Sequence, residues 1–272
     1  MIEVISNNKI DNYLKNLNNN IIFWNKIIDK DLKIICLCVN ENEYDFLCNQ
    51  MNKFNMKDAI PVYDSFKFKD NKTLFGGGAA IKFNKEDCLF FWQVIGSSLD
   101  FDKCNVGVLK TPGHLYSHAA EGYIYEKLGT KTTDFPGWIV EGQSDYYPIK
   151  LLSNSDLDYE INRESFKTTA FVPHGIREII KSWNEKDWLD ALQKDTGPHE
   201  GIKQTSQYYS GFFMYEFLVK NFGDEVIFKI MKDFTDSKNF KEVFEYNLKL
   251  KLNDFYKNMS KEIAKNSSEI RV

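Results

Sequence analysis

Residues 113–129, GHLYSHAAEGYIYEKLG, contain two of the four histidines of the chain and decide how the remaining sequence is interpreted. His114 and His118 are four residues apart, and the segment ends at Gly129, a residue type that commonly terminates helices. The stretch therefore predicts a helix. At about 100° per residue, the two imidazoles differ by about 40° around its axis, so they project from one face and can share a metal ion.

A histidine pair at this spacing is weak evidence alone, because such pairs on amphipathic helices are more often structural than metal-binding. The next predicted helix, residues 136–147 (PGWIVEGQSDYY), adds carboxylates. Glu141 could be a third metal ligand. Asp145 follows one turn later and could accept the remaining N–H of a ligating histidine, an arrangement that fixes imidazole orientation at metal sites.

The residue after the first histidine separates this motif from the catalytic version. In the HExxH pattern, two histidines bind zinc and the intervening glutamate is the general base. Here the motif is HLYSH, so Leu115 occupies the position of the base. Glu121, three residues after His118, lies on the same stripe of the helix and is a candidate replacement base or additional ligand; a surface or capping role is the alternative.

These motifs resemble those of the gluzincin metallopeptidases, the thermolysin-like and aminopeptidase-like superfamily. HLYSH is similar to the first family helix at His114, Tyr116 and His118, and WIVEGQSDYY is similar to the second at Trp138 and Glu141. The two helix motifs are specific, whereas the flanking similarity, over about residues 30–262, is suggestive only.

The resemblance implies a zinc ion (Zn²⁺) bound by His114, His118 and Glu141, with Asp145 supporting a histidine. It also implies an oxyanion donor at Tyr208, since QYYSG is similar to the family's Tyr-x-x-Gly motif at Tyr208 and Gly211. Tyr209 is the less favoured candidate. His₂Glu with an open position suits zinc but accepts other divalent ions.

The implied fold is α+β, a gluzincin-like domain with a small N-terminal mixed sheet and helices, followed by a mainly helical C-terminal half. The expected organisation is an N-terminal helix over residues 1–29, one peptidase-like domain over residues 30–262 and a tail over residues 263–272. Within the domain, residues 30–111 form the sheet-containing lobe and residues 112–262 the helical lobe that carries the site. LKIICLCV, GGGAAIKF and CLFFWQVI are the predicted strands, together with AIPVYDSFKF.

Leu115 limits the expected activity, because leucine can neither remove a proton from a water molecule nor return it to a leaving amine. General acid–base catalysis contributes about 10²- to 10⁴-fold in rate. We therefore expect weak or no peptidase activity, and a module that binds a peptide or protein in the former substrate cleft. The alternative is an active zinc-dependent hydrolase or peptidase that uses a non-standard base.

Composition excludes several other classes of protein. The 272 residues carry a net charge of −4 and no basic stripe, which argues against a nucleic-acid partner. There is no signal-peptide pattern, and no apolar run approaches the length of a membrane span. Five cysteines at irregular spacing indicate reduced thiols, not a disulfide framework. We expect a cytoplasmic protein without membrane partners; the sequence does not predict the oligomeric state.

Overall fold

The computed structural model describes residues 2–6, 11–28, 33–54, 75–82, 88–96, 106–131, 134–169, 174–197, 201–237 and 239–271. The chain forms two compact units, Met1–Ala120 and Glu121–Val272. The division falls inside one continuous helix, α3 (Val106–Lys127), so this helix contributes residues to both units.

The first unit contains a four-stranded mixed sheet with the order β1-β2-β4-β3. The strands are β1 (Ile2–Ser6), β2 (Lys33–Val39), β3 (Phe75–Lys82) and β4 (Cys88–Ile95). β1, β2 and β4 run parallel, whereas β3 pairs antiparallel with β4. The predicted mixed sheet is thereby confirmed, and the glycine-led strand β3 lies at one end of the strand order.

Strand β2 lies between β1 and β4 in the sheet. Its sequence is a continuous apolar run, in which apolar and polar residues do not alternate. Every residue from Ile34 to Val39 is buried, as expected for a parallel strand covered on both faces. Leu37 and Val39 pack with Leu47 and Met51 of helix α2 (Tyr44–Lys53) in the core of this unit. Two cysteines of this strand, residues 36 and 38, are buried and are not joined in a disulfide.

Helix α1 (Asp11–Ile28) packs against the first half of α3 through polar side chains. The Trp24 indole N–H donates to Ser117 Oγ at 2.9 Å, and Tyr116 O–H donates to Asn25 Oδ1 at 3.3 Å. A Cβ atom at Gly113 would lie 2.3 Å from the Asn20 amide nitrogen, so the glycine permits this close approach. These contacts hold the histidine-bearing face of α3 in a fixed rotation.

Among its described residues, the second unit contains helices joined by turns and no strand. After the end of α3 it contains α4 (Gly137–Leu152), α5 (Asp156–Thr169), α6 (His174–Lys181), α7 (Glu185–Gln193), α8 (Gly201–Phe222), α9 (Val226–Ser237), α10 (Phe240–Leu248) and α11 (Leu252–Ser267). Helix α4 is its central element, since all residues from Gly137 to Ile149 are buried. A helix buried on all sides carries small and apolar residues around its full circumference.

Several boundaries differ from those read from the sequence. Helix α3 begins at Val106, six residues before the expected helical lobe, and contains Pro112, although an interior proline has no N–H to donate to the carbonyl four residues earlier. The N-terminal segment contains strand β1 as well as α1, and α11 continues to Ser267. The predicted strand AIPVYDSFKF lies outside the described residues. None of the described helices is both long and apolar enough to cross a bilayer.

Candidate metal centre

Helix α3 places the two predicted histidines side by side. His114 Nε2 and His118 Nε2 are 3.0 Å apart, and the ring centroids are separated by 4.5 Å at an interplanar angle of 85°. His114 is only 9% exposed, and His118 is partly buried. The helix ends at Lys127 and is closed, as predicted, by Gly129, which has φ of 68° while Thr130 N–H donates to the Tyr125 carbonyl.

The separation of the two ring nitrogens fits a shared metal ion. Tetrahedral zinc with Zn–N distances of about 2.0–2.1 Å places two nitrogen ligands about 3.3 Å apart. The observed 3.0 Å requires only a small opening of the two rings. Without an ion, one neutral imidazole donates a hydrogen bond to the other. A proton then lies between the two nitrogens where a metal ion would bind both.

Glu141 supplies the third candidate ligand. One ligand atom from each of His114, His118 and Glu141 lies within 4.8 Å of the other two. Glu141 is 5% exposed and lies one turn inside the buried helix α4. The structure thus brings together the three residues that the sequence predicted as ligands, and the cluster could hold a metal ion.

The start of helix α4 is fixed by Asp195, a residue 58 positions along the chain from Gly137. Asp195 Oδ1 accepts from Gly137 N–H at 2.8 Å, and Oδ2 accepts from Trp138 N–H at 2.9 Å. Gln207 Nε2 of α8 also donates to Asp195 Oδ1 and to the Gly197 carbonyl, both at 2.8 Å. Burial nevertheless raises the pKa of Asp195 above its usual 3.8, outweighing these donors.

Sequence reasoning missed Asp195 because the N-cap of α4 is not local. Pro136 occupies the capping position, and its side chain cannot accept a hydrogen bond. The only signal in the sequence was the absence of a capping residue: the helix begins with Pro136–Gly137 and has no Ser, Thr, Asp or Asn at its cap. That pattern implies a distant acceptor but does not identify it.

Helices α4 and α8 cross in direct backbone contact at Gly142 and Gly211. A Cβ atom at Gly142 would lie 2.6 Å from the Gly211 carbonyl carbon, and one at Gly211 would lie 2.5 Å from the Trp138 carbonyl oxygen. Gly142, next to Glu141, and Gly211, three residues after Tyr208, therefore have a packing role. It also fixes the rotation of Glu141 relative to α8.

Tyr208 lies two turns inside α8, which begins at Gly201, whereas the sequence placed it near a helix start. The residue is of intermediate burial. Tyr209 is fully buried, and its O–H donates to the Lys167 carbonyl at 3.2 Å. The two tyrosines thus differ in burial, and the role of Tyr208 as an oxyanion donor remains a prediction.

Glu121 is fully buried and accepts a hydrogen bond from Tyr125 O–H at 2.5 Å, so the capping and surface alternatives are wrong for this residue. It is not one of the three clustered ligand residues. Burial, followed by the nearby Glu121 carboxylate, raises the pKa of both Tyr125 and Tyr215 well above 10. Glu121 is thus part of a buried tyrosine-containing cluster of the second unit.

Two further positions complete the predicted set. Asp145 is 1% exposed and lies one turn beyond Glu141 on α4, where a support role for a histidine remains a prediction. Leu115 is 5% exposed, so the position that the resemblance assigns to a general base carries a buried apolar side chain. No carboxylate is available from that position.

Comparison with known proteins adds little about function. No family model matches the chain. It is similar to the uncharacterized protein YhcO of Bacillus subtilis (strain 168), with 25% identity over 157 residues. The match covers 58% of this chain and 42% of YhcO, so it spans less than half the length of that relative.

Proposed function

We propose that this protein is a gluzincin-like metal-binding protein that has lost the standard peptidase base and acts by binding a peptide or another protein. The observation that carries the proposal is the clustering of His114, His118 and Glu141 within 4.8 Å, next in sequence to a buried leucine at the base position. The donor set, two imidazoles and one carboxylate, is that of open zinc sites.

The arrangement of elements supports the family relationship. A mixed sheet with an antiparallel end strand precedes the histidine helix α3, and the carboxylate helix α4 follows after a short connection. Helix α8, which carries Tyr208, crosses α4 at the two glycines of the motifs. This order of strand, edge strand, ligand helices and tyrosine helix is the one that the resemblance implies.

The roles of these residues favour binding of a peptide without efficient cleavage. His114, His118 and Glu141 would hold the ion, and Asp145 would support one imidazole. A bound zinc supplies Lewis acidity toward a carbonyl group. Tyr208 would donate a hydrogen bond to the same carbonyl oxygen. Leu115 has no group to accept a proton from water, so these contacts would contribute to affinity for a peptide and not to its cleavage.

The decisive experiment is the metal content of the purified chain, with and without added zinc followed by dialysis. We expect about one zinc per chain in the wild type and none in His118→Ala. Glu126→Gln is the matched control, because Glu126 is an exposed carboxylate on the same helix. Equal metal content in all three proteins, or no retained metal in the wild type, would contradict the proposed centre.

Peptide binding and cleavage require a separate assay. The zinc-loaded protein is incubated with a broad peptide library between about pH 5 and 9, the range in which general bases of hydrolases titrate. We expect retention of a subset of peptides on immobilised wild-type protein, reduced by chelator and by His118→Ala, without new cleavage products. Chelator-sensitive cleavage would instead establish the alternative, a hydrolase with a non-standard base.

A further inference from the structure

A second candidate binding site is a pocket of about 540 Å³ in the second unit, lined by helices α4, α5, α8 and α11. Its apolar lining includes Phe213, Phe217 and Met259. Its polar lining includes Arg163 and Glu216, both of which are partly buried. Pockets of several hundred Å³ that combine an aromatic surface with a few polar groups are the usual form of small-molecule sites.

The ion pair between Arg163 and Glu216 uses one guanidinium nitrogen and one carboxylate oxygen. Arg163 Nε donates to Glu216 Oε1 at 2.6 Å, and Tyr159 O–H donates to the same oxygen at 2.8 Å. The guanidinium group lies over the Phe213 ring at 5.4 Å, which restricts its orientation. Within the described part of the chain, the two terminal guanidinium nitrogens and Glu216 Oε2 have no protein partner.

The charges around the pocket exclude the simplest ligands. Arg163 and Lys220 oppose three carboxylates, those of Glu160, Glu216 and Glu262, so the lining has a net charge of −1. An anion on the guanidinium group would lie near the Glu216 carboxylate and would be repelled. A simple cation would satisfy the carboxylates but would leave the guanidinium N–H groups unused. A ligand that carries both charges satisfies both sides.

We propose that this pocket binds a free α-amino acid with an apolar side chain. Its carboxylate accepts hydrogen bonds from the terminal N–H groups of Arg163, and its ammonium group donates to the second oxygen of Glu216. The apolar side chain packs on Phe213, Phe217 and Met259. Charge-assisted hydrogen bonds at both ends make recognition depend on the zwitterion, and the restricted guanidinium group is already oriented for a carboxylate.

The first test uses four related ligands and the wild-type protein. L-phenylalanine, phenylalaninamide, N-acetylphenylalanine and N-acetylphenylalaninamide are titrated by calorimetry up to about 10 mM, which covers weak small-ligand affinities. We expect saturable binding of phenylalanine and at least about tenfold weaker binding of the other three, because each lacks one or both charges. No saturable binding of phenylalanine, or equal binding of any blocked derivative, would overturn the proposal.

The second test assigns binding to this pocket. Arg163→Lys keeps the positive charge but removes the fork of N–H groups, so we expect at least about tenfold weaker phenylalanine binding. Arg271→Lys is the matched control, since Arg271 is exposed and does not line the pocket. Thermal unfolding confirms that each variant is folded; if Arg163→Lys does not fold, the ligand series on the wild type still decides.

A final control separates this pocket from the candidate metal centre, because amino acids also bind metal ions. Phenylalanine titrations are repeated with His118→Ala and with chelator-treated wild-type protein. Unchanged affinity is expected if the ligand binds at Arg163. Loss of binding in both cases would place the ligand at the metal centre and would overturn the pocket assignment, whether or not the metal proposal holds.

Discussion

Gly142 of α4 and Gly211 of α8 are in backbone contact, with no room for a side chain on either residue. A Cβ atom at Gly142 would come within 2.6 Å of the Gly211 carbonyl carbon and oxygen. Since these atoms belong to the backbone of a buried helix, they cannot move aside as the end of a side chain can. The contact joins the helix of Glu141 to the helix of Tyr208.

Gly142→Ala should therefore reduce the free energy of unfolding by about 1–3 kcal/mol, the usual cost of overpacking a core, despite the higher helix propensity of alanine. Chemical denaturation monitored by circular dichroism measures the change. Gly113→Ala is the comparison, because its Cβ atom would meet the Asn20 side chain, which can rotate. A smaller loss for Gly142→Ala than for Gly113→Ala would show that the helices do not cross as described.

Asp195→Ala should destabilise the protein by about 0.5–2 kcal/mol, because it removes the acceptor for the first N–H groups of α4. We also expect weaker zinc binding, since Glu141 lies one turn from the released helix end. Asn184→Ala is the control: Asn184 caps the peripheral helix α7 through Lys186 and Asp187. It should show a similar loss of stability but unchanged metal affinity.

The pH dependence of stability should report the raised pKa of Asp195. A carboxyl group whose pKa is higher in the folded state binds protons more readily there than when unfolded. Its contribution to stability is therefore largest below about 3.8, the unfolded value, and decreases as the pH rises through the folded pKa.

The free energy of unfolding is measured against pH for the wild type and Asp195→Asn. The stability advantage of the wild type should be largest at the acidic end and should shrink with increasing pH. If that advantage grows with pH instead, the hydrogen-bond donors to Asp195 outweigh burial and lower its folded pKa.

Zinc should raise the melting temperature of the wild type, because a ligand that binds only the folded state stabilises it by about 2.7 kcal/mol at 100 times its dissociation constant. Glu141→Gln should reduce this shift strongly, whereas Glu126→Gln should leave it unchanged. Differential scanning fluorimetry over a zinc titration measures it. An equal shift in Glu141→Gln would remove Glu141 from the ligand set.

Leu115→Glu should create zinc-dependent peptidase activity if only the base is missing. The expected gain is about 10²- to 10⁴-fold over background in a fluorogenic peptide assay. Leu115→Gln controls for the polar substitution at this buried position without supplying a base. Equal rates for the Glu and Gln variants, both still binding zinc, would show that the surrounding cleft no longer supports catalysis.

Much of the candidate site was predictable because its signals are local. The spacing of His114 and His118 on a helix sets their shared face, and Glu141 has the context of a second helix motif. Strands β2 and β4 were likewise evident from continuous apolar runs. Strand β1 was missed because its pairing with β2 depends on residues more than thirty positions away.

Other features were accessible only from tertiary structure. The sequence could not show that Asp195 caps α4, that Glu121 is buried against Tyr125, or that Arg163 and Glu216 share a pocket. Each of these depends on which faces of separate helices meet. Gly211 was visible as a motif residue, but its backbone contact with Gly142 was not.

The sequence by itself determined the helix periodicity, the apolar strands, the candidate ligand residues and the leucine between the two histidines at position 115, because these follow from residue type and local spacing. Only the tertiary structure decided which distant groups satisfy buried polar atoms and where close packing requires glycine. Those outcomes depend on helix crossing and burial, which are set by the collective packing of the unit and not by any one segment.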